Sequence, residues 1–512
     1  MHPALRISEL VDIIATFLAD DASLFALART CRALSGAALD CLWKTQTTLD
    51  NLVKCLPADA WREGSGSRLR VTRDFTSKDW TVALEYSRRL AFSPDNIPCV
   101  SILQAISAFG SATLFPRLHG FKCPAVDTIH PLETAFLLPR IRRLQLVDIS
   151  FDAFDVIASS ELRLGMLTEL ALVSKSAGAV PDRLWTIADS LQVVEHLVLN
   201  HIPDAILRRL SELPKLAYLR LETPIEDATN YTLCFPALHA LDLITTSAEY
   251  ATHFVERLPQ SCRLRWLMLQ ILPSPAEEIA SLYTTVADRI STRTLRYLGV
   301  DTVTADEETI MPYPLPRPQL ADFVVESSAL KPLLRFSHLR WLTLQPPVGF
   351  DLHEEMAWAM ARAWPKLTHL QLGAASRARP IQPTLPISAL AAFAEYTPHL
   401  QTLLVDVDAL HASPCAHVTH LQRALEVVYF GVSPIVDTRG VVVLPQTIFP
   451  SVRVNTPGDW EWDEMIRRMG QGLDAFGSLG RVYRGRWQDD ADVLCETKPK
   501  KTISSVPTKT GE

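Results

Sequence analysis

The stretch Phe235-Pro236-Ala237-Leu238-His239-Ala240-Leu241-Asp242-Leu243 decides the fold. Its pattern, P-x-L-x-x-L-x-L, repeats one that stands 22 residues earlier, Leu213-Pro214-Lys215-Leu216-Ala217-Tyr218-Leu219-Arg220-Leu221. With Leu238 taken as the first residue, the fourth and sixth (Leu241 and Leu243) alternate with Ala240 and Asp242. Side chains alternate across an extended strand, so the two leucines share one face and the third and fifth residues share the other.

Moving outward, the phrase or a conservative variant begins at Leu118, Ile141, Leu167, Val194, Leu216, Leu238, Leu264, Leu295, Leu320, Leu339, Leu367, Leu400 and Leu425. The gaps run from 19 to 33 residues, and most fall in the roughly 20–29 of leucine-rich repeats. Between phrases the apolar period turns helical, over Asp204–Leu213, Ala248–Leu258, Ala276–Ile290, Glu354–Trp364 and Ile387–Tyr396. Strand alternating with helix at this pitch gives parallel strands, and the leucines are buried only when successive units stack. The expected fold is an α/β leucine-rich-repeat solenoid over residues 100–455, irregular in pitch, with parallel strands on the concave face and helices on the convex face.

Proline punctuates the array. Pro116, Pro139, Pro214, Pro236, Pro318, Pro365 and Pro398 each stand two residues before a phrase. Proline cannot continue a helix and biases its predecessor toward extended geometry, so it should end each helix and launch each strand. The asparagine that follows the strand in many such repeats is mostly missing, and Asn200 is out of place for it. An asparagine ladder is therefore expected to be absent or weak. The Pro-rich acidic stretch 302–318 and residues 373–386 read as loops too long for tight turns.

The first fifty residues form a separate unit. Apolar residues at 7, 10, 11, 14, 17 and 18 define one helix face. Asp20 or Asp21 can cap a second helix bearing Leu24 and Leu27, and a third segment runs from Cys31 to Trp43. Glu9-Leu10, Ile14, Phe17-Leu18, Asp21, Leu24, Leu27, Thr30-Cys31-Arg32 and the closing Leu42-Trp43 resemble an F-box, although Arg6-Ile7 stands where that family usually has Leu-Pro. The resemblance implies a small all-α module of three helices, residues 1–50, that docks on a Skp-family adaptor and through it a cullin. It places Ile7, Glu9, Leu10, Ile14, Leu18, Leu24 and Trp43 among the positions that build or support the docking surface. Three short helices bury little apolar surface, so the module is expected to lean on its neighbour.

Residues 51–99 connect the two parts. Gly64-Ser65-Gly66-Ser67 is a flexible polar break, and Ser77–Leu90 reads as an amphipathic helix capped by Ser77. Its D-W…Y-x-R-R phrase, behind an F-box, is similar to the connector in the large F-box families of mushroom-forming fungi. At the other end, Val441–Leu444 and Ser451–Val454 read as short closing strands. Asp463–Phe476 reads as a helix within a capping unit at 456–488, and residues 489–512 as a disordered tail.

Composition narrows the function. The chain has 512 residues and a net charge of −7, which argues against general nucleic-acid binding. Nine cysteines without a C-x-x-C pair suit a reducing compartment. No signal peptide and no run of 18 apolar residues stands out. A cytoplasmic or nuclear protein with no membrane contact is expected. Catalytic motifs are missing: there is no G-x-S-x-G, phosphate-cradling glycine loop or H-E-x-x-H. The carboxylates Asp459, Glu461, Asp463 and Glu464 suit a helix start better than acid–base chemistry. The group His411, Cys415, His417 and His420 lacks zinc-module spacing. No catalytic residue, metal or cofactor is therefore expected.

The third residue of each phrase should face the concave side. From the phrase at Ile141 to that at Leu400 these are Arg143, Glu169, His196, Tyr218, Ala240, Trp266, Tyr297, Asp322, Trp341, His369 and Thr402. Aromatic groups are preferred binding anchors, so His196, Tyr218, Trp266, Tyr297, Trp341 and His369 are the candidate residues for holding a protein target. The resemblance and the repeat together imply a non-catalytic substrate receptor of a Skp–cullin–F-box ubiquitin ligase. The alternative is a leucine-rich-repeat interaction scaffold with no ligase role.

Overall fold

The computed structural model describes residues 7–18, 20–44, 46, 50–63, 69–91, 115–124, 141–149, 164–174, 188–200, 202, 204–223, 231–302, 320–373, 383–408, 421–430, 433 and 448–455. Helices α1 (Ser8–Thr16), α2 (Asp21–Thr30) and α3 (Arg32–Lys44) form the N-terminal module. Asp20 caps α2, its carboxylate accepting the Ser23 N–H at 2.7 Å. Val11, Ala15, Leu24 and Ala37 make a small core of their own. The module leans on the connector, as its size requires. Trp43 stacks on Tyr86 with ring centroids 4.7 Å apart, Arg89 pairs with Asp40, and the Ala91 N–H donates to the Lys44 carbonyl at 3.0 Å.

The connector holds α4 (Asp50–Val53), an antiparallel pair β1 (Trp61–Glu63) and β2 (Leu69–Val71), and α5 (Trp80–Ser87). The strands on either side of the glycine-serine break thus pair, although their sequence reads only as a break. Helix α5 starts at Trp80, later than the Ser77 cap predicts. Asp79 sets the turn instead. Its carboxylate accepts the Thr76 N–H at 2.7 Å and pairs with Arg73 at 2.8 Å, while Arg73 also holds Asp59 at 2.7 Å. The Arg73 guanidinium, followed by the Thr76 bonds, holds the Asp79 carboxyl well below the usual carboxylate range.

The array is one parallel sheet of thirteen strands in chain order. The strands are β3 (Gly120–Pro124), β4 (Arg143–Ile149), β5 (Glu169–Ser174), β6 (His196–Asn200), β7 (Tyr218–Thr223), β8 (Ala240–Thr245), β9 (Trp266–Ile271) and β10 (Tyr297–Thr302). After a separate two-strand pair, β11 (Val325–Glu326) with β13 (Phe350–Asp351), the sheet is completed by β12 (Trp341–Gln345), β14 (His369–Leu372), β15 (Thr402–Val405), β16 (Val427–Tyr429) and β17 (Arg453–Asn455). Helices Asp204–Ser211, Ala248–Arg257, Ala276–Arg289, Glu354–Ala363 and Leu390–Tyr396 form the other layer. Between the layers lies one continuous core, in which Leu241, Leu243, Leu267 and Leu269 are fully buried. This is the leucine-rich-repeat fold that the phrase predicts.

Twelve of the thirteen phrases start a strand of this sheet at their third residue. The phrase at Leu320 does not. It forms a 3-10 turn, Ala321–Phe323, and β10 pairs directly with β12. Val325, which should have been its sixth residue, pairs instead with Phe350. Asp322 is therefore an exposed turn residue and not part of the concave row.

In place of an asparagine ladder, the backbone itself ties coil to coil. The residue just before each strand presents a carbonyl that accepts two N–H groups from the next coil. Arg265 accepts from Arg296 (2.9 Å) and Tyr297 (3.0 Å); Arg296 accepts from Arg340 (2.8 Å) and Trp341 (3.1 Å); Arg340 accepts from Thr368 (2.8 Å) and His369 (3.1 Å). The same bond pair starts at the connector, where the Ala91 carbonyl accepts from His119 and Gly120. The connector thus docks the first coil as though it were a coil itself.

Helices end before Pro214, Pro365 and Pro398 as expected. Phe235, which precedes Pro236, departs from extended geometry with φ 40°. Its ring is fully buried and its N–H donates to the Ser211 carbonyl at 2.7 Å, so core packing outweighs the local preference. The expected strand Val441–Leu444, the helix Asp463–Phe476, the tail, the carboxylates near Trp460 and the cluster His411–His420 lie outside the described residues, as does the acidic insertion beyond Thr302.

Candidate functional site

Parallel register places the first residues of the strands in a single row. His196 faces Tyr218, Tyr218 faces Ala240, Ala240 faces Trp266, Trp266 faces Tyr297, Tyr297 faces Trp341 and Trp341 faces His369. All six residues chosen from the sequence lie in this row. They form three ring pairs: His196–Tyr218 at 5.8 Å, Trp266–Tyr297 at 4.9 Å and Trp341–His369 at 4.0 Å between centroids. Tyr218 is the most enclosed of them, packed with Ala171, Val198 and Ala240 in a small apolar cluster on the concave side. The others are half-buried, and the Trp341 Nε1–H donates to the Thr343 hydroxyl at 2.9 Å. Next to Trp341 and His369, a shallow cleft continues over Gln371, Thr402, Leu404 and Tyr429.

The row behind, on the same face, contains Arg220, Asp242, Met268, Gly299 and Thr343. Met268 lies over Gly299, where a Cβ would stand 2.3 Å from its sulfur. Charges on the N-terminal half are paired off. Arg143 meets Glu169 at 3.0 Å and Arg220 meets Asp242 at 2.8 Å. Burial pushes the His196 imidazole down, against the opposing pull of Glu169 and Glu195. On β10, burial and then the neighbouring Asp242 push the Asp301 carboxyl up to about 7. One of its oxygens is sealed without a partner among the described residues.

The N-terminal residues assigned to adaptor docking separate into two sets. Ile7, Glu9, Leu10 and Ile14 are exposed on α1, together with Ile13 and Phe17, while Val11 and Ala15 face inward. Glu9 sits in the first turn of α1 with its carboxyl below the usual range, because its own backbone N–H and Ser8 hydrogen-bond to it. Leu18 is half-buried, Leu24 is in the module core, and Trp43 stacks on Tyr86 at the joint with α5. Leu24 and Trp43 therefore support the module from behind and are not part of its exposed face.

Sequence reasoning missed the turns that lead into the strands. Arg263, Arg265, Arg293 and Arg340 are exposed there, with Lys366, and Arg296 is half-exposed. The signal was available as a repeated tetrapeptide: Leu264-Arg265-Trp266-Leu267, Leu295-Arg296-Tyr297-Leu298 and Leu339-Arg340-Trp341-Leu342. Among the described residues no group of three or more His, Cys, Asp or Glu is placed to hold a metal ion. No described helix is long and apolar enough to cross a membrane.

No protein-family model and no curated protein sequence matches the chain. Among solved structures, an internalin (InlF) from Listeria monocytogenes is similar at 12% identity and TM-score 0.37, over 80% of this chain and 92% of that one. A structure of the yeast Rad7 and Elc1 complex is similar at 14% identity and TM-score 0.37, over 81% and 92%. A Bacteroides fragilis protein is similar at 10% identity and TM-score 0.27, over 77% and 87%.

Proposed function

We propose that this chain is the substrate-recognition subunit of a Skp–cullin–F-box type ubiquitin ligase. The N-terminal helices would hold a Skp-family adaptor, and through it a cullin, while the concave face holds a protein target. The chain itself would be non-catalytic and would work in the cytoplasm or nucleus. The observation that carries this reading is the exposed apolar stripe Ile7, Leu10, Ile14 and Phe17 on α1. Phe17 is 82% exposed and Ile7 48%. Neighbouring apolar side chains left open to water mark a protein contact, and this stripe belongs to a module already fastened to a long repeat array through Trp43, Asp40 and Lys44.

Co-purification with a Skp-family adaptor tests the proposal. Leu10 is 40% exposed, so Leu10→Asp should abolish adaptor binding while thermal stability stays within about 0.5 kcal/mol of wild type. A wild-type chain that retains no adaptor would remove the ligase role and leave an interaction scaffold. Independently, Trp266→Ala with Trp341→Ala should weaken target capture and leave the array folded.

A further inference from the structure

We propose that the turns before β9, β10, β12 and β14 bind an extended, Asp/Glu-rich segment of the protein target, laid across the strands beside the Trp266–Tyr297–Trp341–His369 row. This rests on the reading of the concave face as a target receptor and assigns the chemistry of what it holds.

Four successive turns carry Arg263, Arg265, Arg293, Arg296, Arg340 and Lys366, with His338 among them. Residues 259–266, 290–297, 336–341 and 364–369 contain no aspartate or glutamate. None of the six cations takes part in an ion pair among the described residues. Arg296 donates from Nη1 to the Arg293 and Leu295 carbonyls of its own turn, which fixes its guanidinium there with no carboxylate partner among the described residues; outside the turns, Arg335 pairs with Asp288, and Arg289 donates to the Glu256 and Leu258 carbonyls. The field is felt inside the patch, where Lys366, then desolvation, then Arg296 push the His338 imidazole down. Such a run of like charge costs stability unless an anion meets it. On the N-terminal half of the same face, Arg143 and Arg220 already have carboxylate partners.

Geometry supports an extended peptide. The carbonyl bonds of Arg265, Arg296 and Arg340 hold these three backbones in rank, at the roughly 4.8 Å spacing of neighbouring strands. The four turns therefore span about 14 Å, the length of four to five residues of extended chain at about 3.3 Å each. Guanidinium groups match carboxylates as forks, and the half-buried edges of Trp266, Tyr297 and Trp341 lie one residue away for the apolar side chains that alternate with the acids. A single-stranded nucleic acid fits less well. Trp266 with Tyr297, and Trp341 with His369, already turn one ring face to each other, so bases could stack only on the remaining faces.

The test is selection of the full-length protein against a displayed random dodecapeptide library. Winning peptides are then measured by fluorescence anisotropy alongside a twelve-nucleotide oligo-dT. Expected are peptides enriched in Asp and Glu alternating with apolar residues. Their affinity should fall at least tenfold in the Arg265→Glu, Arg296→Glu, Arg340→Glu triple variant and largely survive in the matching triple lysine variant. If the triple reversal does not fold, Arg340→Gln alone should cost about threefold. Selected peptides without acidic enrichment, equal binding by the reversed variant, or tighter binding of oligo-dT would each overturn the proposal. Adaptor co-purification is unaffected by these outcomes, so failure here and failure of the ligase reading are told apart.

Discussion

Asp301 makes the stability of the array depend on pH in an unusual direction. Most paired carboxylates, such as Asp79 with Arg73, hold their proton less tightly in the folded chain and stabilise it above their ordinary range. Asp301 does the opposite, because burial seals one oxygen without a partner among the described residues and Asp242 repels its charge. Its folded value of about 7 lies above the ordinary 3.8. Between these values the folded chain binds a proton that the unfolded chain has released. Stability therefore falls as pH rises through this window, and the loss is complete above pH 7. About three units at roughly 1.4 kcal/mol each set an upper bound near 4 kcal/mol. The residue as a whole is only half-buried, so about 2 kcal/mol is the working expectation. Asp301→Asn keeps the shape and removes the charge. Urea unfolding followed by tryptophan fluorescence at pH 5, 6, 7 and 8 should show the variant gaining about 1.3 kcal/mol over wild type between pH 5 and 8, the rest having been lost between 3.8 and 5. Parallel profiles for the two proteins would refute the reasoning, since every other titrating group is shared.

Three further substitutions probe the packing. Trp364 is fully buried and donates through Nε1 to the Leu333 carbonyl at 3.3 Å; Trp364→Phe removes that bond and leaves a void beside the ring, while the Phe336 N–H keeps the carbonyl paired at 3.1 Å, so it should cost about 1 kcal/mol in urea unfolding. Ser327 joins the β11–β13 pair to the next helix, donating to the Asp351 carbonyl at 2.6 Å and accepting the His353 N–H at 3.0 Å. Ser327→Ala should cost about 1–2 kcal/mol, with amide exchange accelerated near Glu354. Gly299→Ala should cost about 1 kcal/mol because Met268 must swing away, and the cost should vanish in a Met268→Ala background; additive effects would refute that contact.

The parts legible in the sequence were those set by a period. Leu241, Leu243, Leu267 and Leu269 announce a strand buried on one face, and the turn to helical spacing announces the second layer. The failures have local causes. Leu320-Ala321-Asp322-Phe323-Val324-Val325 satisfies the apolar pattern but falls between two strands already in register, so the apolar residues pack without entering the sheet. Ser77 reads as a cap, but Arg73 and Thr76 organise the turn around Asp79. At the site, the aromatic row followed directly from the alternation, because the third residue of each phrase that enters the sheet opens its strand in the same row. The cations beside it were harder to see. Their residues stand outside the strand, where period-two reasoning says nothing about direction, and only the threefold recurrence of L-R-[WY]-L marks them. The burial of Tyr218 against Ala171, Val198 and Ala240 is a fact about several coils together, which no single phrase shows.

The carbonyl bonds between coils explain why a surface made of single residues from separate units can survive uneven repeat lengths. Arg296 and Arg340 are separated by the long excursion that contains β11 and the 3-10 segment Ser327–Arg335, yet their backbones are joined at 2.8 Å as closely as those of shorter neighbours. Each coil begins with the same two N–H groups on the same carbonyl, so extra residues must leave the sheet and be absorbed between strands. An asparagine side chain could do this only where the sequence kept it in place. A backbone carbonyl does it at any residue, which leaves the pre-strand position free to be arginine and the next free to be tryptophan, tyrosine or histidine. The same property lets Ala91 stand in for a missing coil and fix the N-terminal module to the sheet edge. Architecture and recognition are therefore separable in this chain: leucines and main-chain bonds fix the ranks, and the residues at their ends carry the chemistry.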